Sequence, residues 1–439
     1  MNRGIQKMVA QKALVIGLGE SGRAAAELLH QLGAQVVVRD EGASEVLSQR
    51  SEILAKKGIR VELGSGVQQG VDADIAVLSP GISLEADMMK PVREAGIPVI
   101  SEIELAWLYF QGKTIAITGT NGKSTTTGLI EEMLKAGGMK AEACGNIGTP
   151  FSDVVMKEDP VDVAVVEVSS FQLEAIDTFR PDVAVYLNFT PDHLDRYQSL
   201  NEYRAAKDRI FVNMDASQKV IVQKELIWDG LLPERINFDV SGGDAEYQWV
   251  DGMLIENGEP VIHQSETSLH GPHNAENQLA ALAVAKEMGI DDAARRAALQ
   301  SYQPLAHRCE FVAEWNGVQF INDSKSTNPD SLRKAVEGYA SGVHLIAGGK
   351  DKGFSYADLA ELLRPRCSAV YLIGQMAVEL ERVWKQAVDC ILCRSLEEAV
   401  HSSAAAAKSG EVVLFSPGCS SFDMFQNFQD RGNQFRQAV

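Results

Sequence analysis

The stretch Thr114–Thr127 (TIAITGTNGKSTTT) limits what this chain can fold into more than any other. A short β-branched run enters a turn punctuated by Gly119 and Gly122, and the turn opens a helix continuing through Leu129, Ile130, Met133 and Leu134. Glycine lets the backbone turn tightly and leaves N–H groups bare, while a helix N-terminus adds partial positive charge. Strand, Gly-rich turn and helix in that order make a phosphate cradle. Lys123 is placed to reach β- and γ-phosphates, and the Ser124 hydroxyl to ligate Mg²⁺. Gly119, Thr120, Asn121, Gly122, Lys123, Ser124 and Thr125 are therefore candidate ATP contacts. The glycines are closer than in the standard loop, G-x-x-G-K-S, so a plain Gly-rich corner is the alternative.

A second nucleotide signal lies upstream. Lys12–Ile16 reads as a buried strand, followed by Gly17-Leu-Gly19-Glu-Ser-Gly22, a helix through Ala24, Leu28 and Leu29, and a strand Gln35–Arg39 ending at Asp40. This is the dinucleotide-type βαβ fingerprint, with an acid placed to hold a ribose hydroxyl. It indicates a diphosphate at a helix N-terminus and leaves the nucleotide open. Ile75–Leu78 runs into Ser79-Pro80-Gly81 at the carboxyl end of a strand, the usual ligand edge of a parallel sheet. Ile97–Ile100 closes the unit, and Glu102–Phe110 reads as a helix leading out of it.

Beyond the phosphate loop, Val161–Val166 delivers Glu167 at a strand end, where a second Mg²⁺ contact is expected. A solvent-facing carboxylate is the bland reading. Val183–Leu187 leads into Asn188–Asp195, where His193 stands between Asp192 and Asp195. Such a histidine suits a core position, a proton carrier or an ion ligand, and spacing does not choose. Glu202–Phe211 reads as a helix on which Lys207 is by default a surface lysine. From Lys219 to about Ser268 short strands with turns at Gly242-Gly243 and Asn257-Gly258 predict a small β-rich insert. Asn274 and Asn277 share a face of the following Ala-rich helix, suited to a purine or ribose or, for Asn274, to capping.

A further α/β unit starts around Tyr302. Its polar clusters are His307-Arg308, Asn322-Asp323-Ser324-Lys325-Ser326-Thr327-Asn328, Gly348-Gly349-Lys350-Asp351-Lys352 and Ser416 to Phe428. The clusters that end β-branched runs should lie on one sheet edge, and their lysines and hydroxyls suit a second anionic substrate.

At 439 residues the chain exceeds one core, so two or three domains are expected. A net charge of −19 argues against nucleic acid or an anionic membrane as partner. The N-terminal residues lack a long apolar core and no run approaches eighteen apolar residues, which predicts neither leader nor membrane insertion. Six scattered cysteines fit a reducing cytoplasm, and Cys390-Ile-Leu-Cys393 reads as strand rather than a redox or zinc pair.

Taken together the ordered motifs resemble the Mur ligase family, and within it the branch that adds D-glutamate. They are T-G-T-N-G-K-S-T, E-V-S-S-F-Q-L, N-x-T-x-D-H-L-D-R-Y, Y-R-A-A-K, H-N-x-x-N, H-R, N-D-S-K-S-T-N and S-P-G-C-S-S-F-D-M-F-x-N-F, and they cover nearly the whole chain. The resemblance implies an α/β protein of three domains: a Rossmann-like UDP-binding domain (1–110), a central ATPase-like domain (111–301) and a C-terminal Rossmann-like domain (302–439). It implies a bacterial cytoplasmic monomer that uses ATP, D-glutamate and UDP-N-acetylmuramoyl-L-alanine, with two Mg²⁺ sites. Lys123, Glu167, His193, Lys207 and Lys325 would be catalytic, and Ser124, Glu167, His193 and a carbamoylated Lys207 would hold the metals. Asn274, Asn277, Arg308 and Asp323 would join the loop at ATP. Glu20, Ser21, Asp40, Ser79, Pro80, Gly81, Asn146 and His193 would hold the UDP-sugar, although an acid at Glu20 suits a diphosphate only if it faces the uracil or solvent. Thr327, Lys352, Ser421 and Phe428 would bind D-glutamate. The rivals are a sibling Mur or folylpolyglutamate ligase and, in another class, a nicotinamide-dependent dehydrogenase. The dehydrogenase leaves the phosphate loop, Glu167 and the Asp323–Thr327 cluster without a purpose.

Overall fold

The computed structural model describes residues 11–64, 71–193, 196–226, 228, 230, 232–303 and 306–439; the readings made on residues 1–10 and on Asp195 lie outside them. Strands that are apolar on both faces need cover on both faces, and the chain supplies it by alternating strands with helices. The first five strands, β1 (Lys12–Ile16), β2 (Gln35–Asp40), β3 (Arg60–Leu63), β4 (Ile75–Leu78) and β5 (Val99–Ser101), pair in parallel in the order β3-β2-β1-β4-β5. β1 sends Ala13 and Val15 into a core with Leu28, Leu29 and Val36, and Leu14 and Ile16 into the opposite one with Met88 and Met89. Strand order reverses between β1 and β4, so the turns after those two strands meet at a topological switch point.

The second sheet has nine strands: β6 (Lys113–Thr118), β7 (Ala141–Gly145), β8 (Val163–Glu167), β9 (Val183–Tyr186), β10 (Lys219–Gln223), β11 (Glu234–Asp239), β12 (Tyr247–Val250), β13 (Met253–Glu256) and β14 (Glu259–His263). Their order is β14-β13-β12-β11-β10-β9-β6-β8-β7, parallel from β7 across to β12. The small β-rich insert expected from Lys219 to about Ser268 consists of strands β10 to β14, which continue this sheet. Val220, Ile221 and Val222 are buried, and β10 and β11 extend the parallel sheet. β12 and β13 pair antiparallel. Asn257-Gly258 does link β13 to β14, with both residues at positive φ as a type I′ turn requires. Asp251-Gly252 does the same between β12 and β13, a turn the sequence reading passed over.

The last six strands are β15 (Glu310–Trp315), β16 (Val318–Asn322), β17 (Val343–Gly348), β18 (Cys367–Ile373), β19 (Cys390–Leu392) and β20 (Val412–Phe415), ordered β15-β16-β20-β17-β18-β19. All pair in parallel except β15. The Cys390 and Cys393 thiols are free, and Cys390 begins β19 as expected of a strand. Leu345 and Leu414 point into one core, Ile346 and Phe415 into the other.

These sheets fall into two compact units. Met1–Asn188, Arg204–Ile262 and Glu276–Leu299 form one, with the first two sheets; Phe189–Tyr203, His263–Ala275 and Gln300–Val439 form the other, with the third. Within the first unit the helix Glu102–Tyr109 ties the two sheets together. Its buried Glu104 accepts hydrogen bonds from the Asp177, Thr178 and Phe179 amides (3.0, 3.0 and 2.7 Å) and from the Thr178 hydroxyl (2.6 Å). Its neighbour Glu102 accepts from the Ser152 amide at 2.6 Å. Among the described residues no helix is long and apolar enough to cross a membrane.

Candidate active site

The phosphate loop leaves the end of β6, at a second switch point between β8 and β9. Gly119 (φ 145°) and Gly122 (φ 84°) take backbone conformations that side chains rarely adopt, and Gly122 caps the helix Lys123–Ala136. A Cβ at Gly122 would collide with Asn277 Oδ1, so this glycine is also required by close approach. Asn277 Oδ1 in turn accepts from the Thr126 hydroxyl at 3.1 Å. Asn188 staples the loop: its carbonyl accepts from Thr120 N (3.0 Å), its Oδ1 from Asn121 N (2.9 Å), and its amide donates to Asn121 O (3.2 Å). Lys123 curls over the turn, with Nζ donating to the Gly119 and Thr120 carbonyls at 3.0 and 2.9 Å. Ser124 and Thr125 are buried behind it.

Glu167 ends β8 and is buried, not solvent-facing. Asn146 meets it twice, donating from its amide N to Glu167 O (2.9 Å) and from Nδ2 to Oε1 (2.8 Å). Lys207 overturns its default reading. It is only 1% exposed, on the helix Leu200–Asp208, and its Nζ donates to Gly119 O at 2.8 Å. The loop, Glu167, Asn146, Asn277 and Lys207 are thus gathered in one unit. A serine hydroxyl and a carboxylate are hard oxygen donors of the kind Mg²⁺ takes. Among the described residues no three His, Cys, Asp or Glu side chains cluster as a ready-made cage. Mg²⁺ needs none, since one or two carboxylates plus substrate phosphates ordinarily hold it.

At the edge of the first sheet the side chains brace the Gly17–Gly22 turn. Asp40 accepts from Leu18 N (2.7 Å) and Gly42 N (2.8 Å), and the Ser79 hydroxyl donates to Gly17 O (3.1 Å). Glu20 is met by two guanidiniums, Arg50 and Arg23 (Nε 3.2 Å), which offset its charge. Arg50 also donates to Leu18 O at 3.0 Å. Ser21 is half-buried at the start of the helix, and Pro80 and Gly81 form the outer part of the turn after β4.

In the second unit the loops after β16, β20 and β17 lie side by side at the carboxyl ends of three adjacent strands. Asp323 is buried and accepts from the Ser416 hydroxyl (2.8 Å) and Cys309 N (3.2 Å). Burial pushes its carboxyl up to about 6, against the Ser416 bond and the Arg308 charge. Lys325 places Nζ 5.2 Å from the Phe428 ring centroid. Thr327 is half-buried just before Asn328, which caps the helix Pro329–Glu337. Lys352 donates to Asp192 Oδ1 at 3.0 Å, and Asn328 Nδ2 to Asp192 Oδ2 at 2.9 Å. Burial alone would raise the Asp192 carboxyl; His193, Lys352 and Asn328 outweigh it and hold it at about 2. His193 has φ 54° and lies edge-on to Tyr203 at 5.8 Å. Ser421 is buried, and Asn274 Nδ2 donates back to His270 O at 2.9 Å. Asn188, Asp192 and Ser416 were not singled out from sequence as site residues, although all three stand inside the quoted motifs.

A phosphate loop on a parallel sheet, a buried acid ending the neighbouring strand, and two further α/β layers with polar loops at their strand ends define a nucleotide-using α/β enzyme. Comparison with known families divides the chain in the same way. Residues 11–101 match the Mur ligase MurD-like N-terminal domain, 117–285 the Mur ligase middle domain, and 307–419 the Mur ligase glutamate ligase domain. Two relatives are each named UDP-N-acetylmuramoylalanine–D-glutamate ligase. That of Acidobacterium capsulatum is 40% identical over 446 residues, covering 99% of this chain and 97% of the relative. That of Koribacter versatilis is 39% identical over 440 residues, covering 98% and 97%. The chain belongs to the Mur ligase family. Its fold is similar to that of UDP-N-acetylmuramate-alanine ligase MurC from Thermotoga maritima, with a TM-score of 0.63 at 19% identity over 97% of this chain and 98% of that one. MurF ligase from the same organism, solved with ADP, gives 0.60 at 16% identity over 97% and 94%.

Proposed function

We infer that the protein is an ATP-dependent ligase that adds D-glutamate to UDP-N-acetylmuramoyl-L-alanine in peptidoglycan precursor synthesis, releasing ADP and phosphate. The observation that carries this reading is near full-length identity of about 40% to ligases of that name, on a chain whose phosphate loop, Glu167 and Lys207 converge in one unit. A carboxylate is a poor acylating agent, so it must first take the γ-phosphoryl of ATP as an acyl phosphate, which the free amine of D-glutamate then attacks. Bound Mg²⁺ supplies neutralisation of the phosphoryl charge during that transfer.

The chain's own residues then take these roles. The bare amides of Gly119–Ser124 receive phosphate oxygens, and Lys123, now on its own loop carbonyls, swings to the β- and γ-phosphates. Ser124 and Glu167 offer the metal ligands, with Asn146 fixing the Glu167 carboxylate. Lys207 acts as a carbamate, because a buried cation at the phosphate loop would repel Mg²⁺, whereas a carbamate supplies oxygens. His193 is assigned a role in binding metal and sugar nucleotide. Asn274, Asn277, Arg308 and Asp323 hold ATP; the edge bearing Glu20, Ser21, Asp40, Ser79, Pro80 and Gly81 holds the UDP-sugar, together with Asn146. Thr327, Lys352, Ser421 and Phe428 bind D-glutamate, with Lys325 near the reacting carboxylate. We place the domain boundaries at 1–110, 111–301 and 302–439, and expect a cytoplasmic monomer. The test is product identification: with ATP, Mg²⁺, D-glutamate and UDP-N-acetylmuramoyl-L-alanine, mass spectrometry should find the sugar nucleotide heavier by one glutamyl residue. Tight NAD(P)H binding with no such product would favour the dehydrogenase reading.

A further inference from the structure

Arg431 is fully buried in the helix Phe428–Ala438, yet no carboxylate among the described residues lies within ion-pair distance of it. Burial lowers its guanidinium to about 10. A buried charge is costly unless its donors are well used, and here they are used on two loops at once. Nε donates to Ser324 Oγ at 3.1 Å, Nη2 to Ser324 O at 2.6 Å, and Nη1 to Cys419 O at 3.0 Å. Ser324 belongs to the loop after β16, between Asp323 and Lys325; Cys419 belongs to the loop after β20, two residues before Ser421. The guanidinium carbon also stands 6.0 Å from the centroid of Phe415, the last residue of β20.

The same helix grips the first of these loops elsewhere. Ser324 Oγ donates to Phe428 O at 2.9 Å and Asn322 Nδ2 to Gly432 O at 3.1 Å. The loop after β17 joins through the second, since Lys350 N donates to Ser420 O at 2.8 Å and Gly348 N to Pro417 O at 2.9 Å. Arg431 is therefore a side chain that bridges the two loops beside the Lys325–Thr327 segment and Ser421. Only a planar fork with five N–H donors can serve both loops; a lysine reaches one of them as a point charge.

We propose that Arg431 is a positioning residue for amino-acid recognition, holding the two loops at the separation that a five-carbon dicarboxylate spans. This rests on the reading that Thr327, Lys352, Ser421 and Phe428 bind D-glutamate. Asp323 has separate anchors in Ser416, Cys309 and Phe415, so the nucleotide side should feel the change little.

The experiment compares steady-state kinetics and melting temperature for wild type, Arg431→Met, Arg431→Lys, Ser324→Ala and Lys352→Ala. Arg431→Met should raise the D-glutamate KM about tenfold or more, with KM for ATP and the sugar nucleotide within about twofold. Arg431→Lys should fall between Met and wild type. Ser324→Ala removes the acceptor of Arg431 Nε and the donor to Phe428 O while leaving the Arg431 side chain in place, and should raise the D-glutamate KM about threefold; it decides the matter if Arg431→Met does not fold. Equal movement of all three KM values, or an unchanged D-glutamate KM in the folded Lys or Ser324→Ala variants, overturns the proposal. If Lys352→Ala also leaves the D-glutamate KM unchanged, the assignment of the amino-acid site falls and this inference with it. If Lys352→Ala raises it while the Arg431 and Ser324 variants do not, this inference alone fails.

Discussion

Replacing Lys207 by alanine separates a packing lysine from a working one. The side chain is 1% exposed, and its Nζ donates to Gly119 O at 2.8 Å. Alanine removes three buried methylenes, worth about 2–3 kcal/mol at roughly 0.8 kcal/mol each. Losing the bond to Gly119 O adds about 1 kcal/mol. A total near 3–4 kcal/mol leaves a domain of ordinary stability folded, so thermal melting should show a lower but cooperative transition. If the residue works as a carbamate, turnover should fall by about a thousandfold or more, some 4 kcal/mol of barrier. That is separable from unfolding by Lys207→Met, which fills the space but cannot react with CO₂. Formate or acetate should partly restore Lys207→Ala, because a short acid can occupy the vacated carboxylate position. Wild-type protein equilibrated with ¹³C-bicarbonate should show a carbamate carbon resonance that Lys207→Met lacks. Lys207→Ala activity within about tenfold of wild type refutes the reasoning.

Lys123→Ala should nearly abolish turnover while leaving UDP-sugar affinity close to normal in isothermal titration; a large loss of that affinity contradicts the division of ligands between the phosphate loop and the first sheet. Gly122→Ala forces a side chain into left-handed backbone, at about 1–2 kcal/mol, and drives Asn277 off the Thr126 hydroxyl at about 1 kcal/mol more. Urea unfolding should therefore shift by about 2–3 kcal/mol, and the ATP KM should rise; an unshifted midpoint would mean the loop repacks freely. Glu102 is predicted to make the first unit pH-sensitive. Burial raises its carboxyl from 4.5 to about 7, against the pull of the Ser152 amide. The folded state thus favours the proton: this stability is fully present below pH 4.5 and is lost as pH rises through 7. A displacement of that size is worth about 3 kcal/mol, so Glu102→Gln should gain by about that much on wild type between pH 4.5 and 8. A pH-independent difference between the two would contradict it.

The phosphate loop was legible because its signal is local: glycine at positive φ is demanded within a few residues, and Lys123 and Ser124 follow directly. So were the polar ends of β16, β17 and β20, since a β-branched run announces its own terminus. What was not legible depended on distant partners. The strands of the β-rich insert were expected, but the parallel pairing of β10 with β9 and β11 leaves no local mark. Lys207 looks like a surface residue on a polar helix, and only the tertiary fold carries it to Gly119. Asp40 also braces Leu18 in the Gly17–Gly22 turn and the Gly42 amide just after β2, a use the fingerprint does not disclose. Arg431 gave no signal at all, since buried and exposed arginines look alike in a sequence. The Asp251-Gly252 turn was readable by the same rule that identified Asn257-Gly258.

The central claim is that ATP turnover is coupled to one sugar nucleotide and one amino acid. Phosphate release measures it directly, with ATP, Mg²⁺ and UDP-N-acetylmuramoyl-L-alanine held constant and D-glutamate, L-glutamate, L-alanine or diaminopimelate supplied in turn. The account predicts release that requires the sugar nucleotide and is stimulated by D-glutamate far above the other three. Equal stimulation by diaminopimelate or L-alanine, or none by D-glutamate, would contradict it.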